Sequence, residues 1–104
     1  MKTLILSLIA AATLASALPA MAQPIPAREQ MQQQRIEQGA RTGALTPRAT
    51  MRLQRREMAT HRLAVRLREE HGGRLTRHDR MVVHHALNRN SRAINRMKHD
   101  GRVG

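Results

Sequence analysis

Six histidines, seven carboxylates, seventeen arginines and a pair of methionines seven residues apart are the side chains from which this chain could build chemistry. Two metal ligands on one helix need a separation of three or four residues. His61, His71, His78, His84, His85 and His99 offer no such pair, and the adjacent His84 and His85 diverge by about 100° on a helix. With no cysteine, a zinc or copper centre would have to be assembled between helices. Met51 and Met58 carry donors for copper, but methionines repeating along a helix are the ordinary material of packing. The expectation is no metal and no cofactor, with a weak metal-responsive role as an alternative, and the histidines supply charge that rises in mild acid. Catalysis has as little material. Ser91 is the one serine after residue 22, Asp79 and Asp100 are the only aspartates, and neither a Gly-x-Ser-x-Gly elbow nor a glycine-rich phosphate loop occurs. No catalytic residue is assigned, and the chain reads as a non-enzyme.

Arginine is the dominant chemistry. The net charge is +12, and it is +11 once Lys2 is set aside with the first 22 residues. Such a surface attracts polyanions and acidic proteins. Arginine in place of lysine is also what GC-rich coding produces, so composition names no particular anion. No Phe, Trp or Tyr is present to stack on bases, which disfavours sequence-specific reading of nucleic acid.

Several elements must position these residues. Lys2, the apolar run Leu4 to Leu18 and the small-x-small site Ala20-Met21-Ala22 describe a secretory signal over 1–22. The run is short for a bilayer span, so no stable membrane span is expected after cleavage. Export places the chain in the bacterial periplasm or beyond it. The remaining 23–104 forms one small domain without disulfides or aromatic side chains. A core limited to Leu, Ile, Val, Met and Ala predicts low stability, or added burial through a homodimer or a partner.

Within 23–104, Pro24 and Pro26 predict an extended lead over 23–27. A domain follows over 28–100, with helices at about 28–38, 47–70 and 77–98, and a tail at 101–104. The first helix is Gln-rich and carries only Met31 and Ile36 as large apolar residues, with Gly39 and Gly43 bracketing its end. Thr46 with Pro47 starts the second helix, and His71-Gly72-Gly73 ends it. Thr76 starts the third, with Asp79 completing a shortened capping box, and Asp100-Gly101 breaks it. Shifting the chain by 30 places Gly43, Leu45 and Thr46 on Gly73, Leu75 and Thr76. The fold class expected is all-α: three helices with two similar Gly-x-Leu-Thr joints. The topology is EF-hand-like, without calcium ligands, since Arg68 takes the first loop position when Gly73 takes the sixth.

The second helix carries two apolar stripes. Ala49, Leu53, Leu63, Ala64 and Leu67 form one; Met51, Met58 and Val65 form the other, with arginines 52, 55, 56, 62 and 66 between. A helix with two apolar stripes wants a neighbour on each side, so the first helix or a second subunit is expected over the methionines. On the third helix Val82, Val83, Ala86, Leu87, Ala93, Ile94 and Met97 are expected to form one broad inward stripe with Asn90 in its middle, and His84, Arg92 and Arg96 are expected on the charged face.

Residues Arg35-Ile36, Gln38-Gly39, Gly43-x-Leu45-Thr46, Gly72-Gly73-x-Leu75-Thr76, Leu87-Asn88-Arg89-Asn90-Ser91-Arg92 and Lys98-His99-Asp100 carry a resemblance. Over nearly all of 28–100 the chain resembles a group of small exported proteobacterial helical proteins of unknown function. Those relatives carry Glu three residues after each Thr, where Ala49 and Asp79 stand here. The Leu45-Thr46 and Leu75-Thr76 helix starts also resemble, more loosely, those of the Spy/CpxP periplasmic chaperones, with Ala49 and Asp79 in place of Gln. The resemblance implies a helical envelope protein that holds unfolded clients. Arg52, Arg55, Arg56, Arg62, Arg66, Arg92 and Arg96 are the residues expected to meet acidic proteins or anionic envelope polymers. Met51, Met58 and Val65 are expected to meet apolar segments or a second copy.

Overall fold

The computed structural model describes residues 23–103, so the signal expected at 1–22 lies outside the described residues, as does Gly104. Three helices follow one another: α1 over Ile25–Thr42, α2 over Pro47–Glu70 and α3 over Arg77–Val103. Each packs against the other two. The chain is a small all-α domain.

The extended lead expected at 23–27 is shorter than that, because α1 begins at Ile25. Pro24 stands as its N-cap and Pro26 lies within its first two positions, where a missing N–H costs nothing. Two prolines therefore start the helix, and Arg28 N–H closes its first turn on the Pro24 carbonyl at 3.1 Å. Nor does α1 end at Gln38. It runs through Gly39 to Thr42 and stops at Gly43, which adopts the left-handed conformation at φ 79°. Gly39 is there for packing: a Cβ on it would lie 2.6 Å from Leu45 Cδ1 and 2.9 Å from Lys98 Cε. α3 likewise continues past the expected break at Asp100-Gly101 to Val103.

The two joints repeat their parts. Thr46 Oγ1 accepts from Ala49 N–H at 3.1 Å, and Thr76 Oγ1 accepts from Asp79 N–H at 3.0 Å. At the second joint Asp79 Oδ2 also accepts from Thr76 N–H at 3.0 Å, completing the box that Ala49 leaves half-made at the first. Gly73 N–H reaches back to the Arg68 carbonyl at 2.7 Å, which closes the end of α2.

Each joint feeds a leucine into its own apolar cluster. Leu45 packs with Ile36, Leu53, Ala93 and Ile94. Leu75 packs against Ile25, Ala64, Val83 and Leu87. Between the clusters runs a buried polar layer of Gln32, Glu57, Thr60 and Asn90, one or two residues from each helix. Asn90 Nδ2 donates to Thr60 Oγ1 at 2.9 Å, and Gln32 Nε2 donates to the Leu87 carbonyl at 2.8 Å. Gln32 Oε1 and Glu57 Oε2 are buried with no hydrogen-bond partner among the described residues.

Candidate binding surface

The position of α2 sets its outer face. Leu53, Glu57, Thr60 and Ala64 are its buried residues, spaced by four, three and four, so they form one stripe facing α1 and α3. The opposite side carries Arg48, Arg52, Arg55, Arg62 and Arg66, all exposed. At 1.5 Å per residue these five guanidinium groups span about 27 Å. No carboxylate interrupts them: Glu57 points into the bundle, and Glu69 and Glu70 follow the last arginine. Along one edge stand Met51, Met58 and Val65, which are 58%, 51% and 37% exposed. Neither α1 nor any other described element covers this stripe, so the first helix is not the cover expected of it. The reason is that the inward stripe, widened by Glu57 and Thr60, already accommodates both neighbours.

The other expected contact residues divide. Arg56 is exposed, but its carbonyl accepts from Asn90 Nδ2 at 3.4 Å, which sets it on the flank beside α3. Arg92 and Arg96 are exposed four residues apart on α3, so they form a pair of their own. His84 does not belong to a charged face. It is 7% exposed, and its Nδ1 accepts from Arg28 Nη1 at 2.9 Å. Burial, and then the charges of Arg28, Arg80 and His85, hold its pKa below the usual histidine value. Gly43, Leu45, Thr46, Gly73, Leu75, Thr76 and Asp79 occupy the two joints as described above.

Arg28 belongs to a polar ladder that the residue pattern did not bring out. It also donates to the His84 carbonyl at 3.3 Å and to Asn88 Oδ1 at 2.7 Å. One turn on, Gln32 reaches Leu87, and Arg35 then donates to Ser91 Oγ at 2.8 Å and Asn95 Oδ1 at 2.6 Å. Burial lowers the pKa of both arginines, and Glu57 partly opposes that. The available signal was the spacing of Arg28, Gln32 and Ile36 on the side of α1 that also carries Ile25 and Gly39.

On its other side α1 meets α2 through the pair His61 Nδ1 and Glu29 Oε2 at 3.0 Å. Glu57 lies below. Burial, and then Glu29, raise its pKa to about 7, while Arg35, Arg56 and a hydrogen bond from Asn90 pull the other way. Among the described residues no three His, Asp or Glu side chains are grouped to hold a metal ion, and no helix is long and apolar enough to cross a membrane. The arrangement with chemical reach is a surface: a row of guanidinium groups, each able to pair with a carboxylate or phosphate, beside a row of thioethers. Comparison with protein-family models, with curated proteins and with solved structures found no match to the chain.

Proposed function

We propose that the chain is an exported, non-enzymatic protein of the bacterial envelope with a chaperone-like or adaptor role. It holds acidic or unfolded protein segments on the outer face of α2. The observation that carries this is the side-by-side exposure of five arginines and the Met51, Met58 and Val65 stripe on one helix. Arginine forks engage carboxylates bidentately. Methionine adapts to apolar side chains of varied shape, which suits clients that share no sequence. A second copy is the less favourable occupant, since two such faces brought together would oppose five arginines with five more.

The test is light scattering from a denatured client protein diluted into the purified chain at physiological and at high salt. Client holding through the methionine edge predicts suppression of scattering that persists at high salt. No suppression at either salt would contradict the proposal. A second reading, charge-driven binding of anionic envelope polymers such as lipopolysaccharide phosphates, is favoured by the uninterrupted arginine row. Its signature is affinity for the polymer that collapses as salt rises, because charge neutralisation releases counterions.

A further inference from the structure

The end of the bundle where α1 starts and α2 gives way to α3 holds a groove of about 530 Å3, within the size range of small-molecule sites. Its floor is apolar: Ile25, Leu75 and Met81, with Pro24 and Pro26 alongside. Met81 is 49% exposed there, whereas Ile25 is buried. Its rim is cationic, formed by Arg68 from α2 and by Arg77 and Arg80 from the first turn of α3.

Among the described residues no carboxylate lines this groove. Asp79, the acid nearest in sequence, is 3% exposed and turned into the joint, where it is held by Thr76 N–H and by His71 at 2.8 Å. His84 also lines the groove. It is faced by Arg28 from α1 and by Arg80 and His85 on its own helix, and the charges of all three disfavour its protonation. The groove is thus a place of uncompensated positive potential over an apolar floor. Neither a bare anion nor a neutral hydrocarbon would satisfy both halves of it.

We propose that this groove binds an amphiphilic anion, a single alkyl chain ending in a phosphate or carboxylate. The chain lies along Ile25, Leu75 and Met81, and the headgroup sits between the guanidinium groups of Arg77 and Arg80. This site is separate from the outer face of α2, so each can fail without the other.

The test is an NMR titration of the purified protein with dodecyl phosphate below its micelle concentration, read at the His84 ring and the Met81 methyl group. Inorganic phosphate, dodecanoate and dodecanol serve as parallel probes. Dodecyl phosphate is expected to produce saturable shifts at both reporters and to raise the His84 pKa, because the bound anion offsets its cationic neighbours. Dodecanoate behaving likewise supports the shared headgroup chemistry. Inorganic phosphate and dodecanol should each bind at least about tenfold more weakly, since each buried methylene is worth about fourfold and a charged hydrogen bond about tenfold. Arg77→Gln should weaken dodecyl phosphate by about tenfold. Arg80 also donates to the Leu75 carbonyl at 3.0 Å, so the exposed Arg77 is the cleaner variant. Met81→Ser should weaken dodecyl phosphate and leave the response to inorganic phosphate unchanged. The proposal is overturned by shifts that never saturate or spread over the whole surface, by inorganic phosphate binding as tightly as its dodecyl ester, or by unchanged affinity in Arg77→Gln.

Discussion

Two buried titratable side chains pull the stability of this fold in opposite directions. Glu57 has its pKa raised from 4.5 to about 7, so the folded chain holds a proton that the unfolded chain has released between those values. Its contribution is fully present below about pH 4.5, falls through the window and is gone above about pH 7. His84 has its pKa lowered from 6.5, so its contribution is present above that value and is lost as pH falls through the folded pKa. Urea denaturation across pH should therefore show Glu57 eroding stability as pH rises from about 4.5 to about 7, with His84 offsetting part of that slope below 6.5. Glu57→Gln should flatten this decline, stabilising the protein at pH 8 by about 1 to 3 kcal/mol and little at pH 5. A lower stability of the variant at pH 8 would show that the ionised carboxylate is favourable there. Gly39 makes a different residue-scale case. Alanine is the better helix former by about 1 kcal/mol, yet its Cβ would meet Leu45 Cγ at 2.7 Å. Gly39→Ala is expected to destabilise the fold by about 1 to 2 kcal/mol net in a urea melt, because overpacking outweighs propensity.

Among the elements, the joints were the most legible in the chain and α1 the least. Thr46, Pro47, Thr76 and Asp79 are local signals, satisfied within a few residues, so the starts of α2 and α3 follow from the sequence alone. The two caps differ as Ala49 and Asp79 differ. Thr46→Ala and Thr76→Ala should each cost about 1 kcal/mol, and Asp79→Ala should lower the thermal midpoint as well, because it leaves the Thr76 N–H without the carboxylate that accepts from it, which a set of melting curves would show. α1 depends on distant partners, so its pattern misled. Its Gln-rich surface reads as weak, but Arg28, Gln32 and Arg35 are ladder donors to α3, and Ile36 is fully buried. Ile36→Ala should cost about 2 to 4 kcal/mol, the scale of a large-to-small change in a packed core. Little change would mean that the ladder alone holds α1 in place. His84 was misplaced for the same reason: its burial is set by Arg28, 56 residues away.

For the molecule as a whole, charge is the property read most directly from composition, and its arrangement is what the helices add. The arginines of α2 were legible because a single amphipathic helix sets them on one side. That the methionine edge stays uncovered was not legible, since it depends on where α1 and α3 settle around a polar layer. A chain of net charge +12 repels itself, so raising salt from low to physiological strength should raise its thermal midpoint, as screening shortens the reach of that repulsion. The most direct test of the binding account is to map a bound acidic, unfolded client by backbone amide shifts on the intact protein. The account predicts perturbations concentrated at 48–66 on the outer face of α2, lost in a variant carrying Arg55→Glu and Arg62→Glu. Perturbations centred on α1 or on Arg92 and Arg96, or unchanged by that variant, would contradict it.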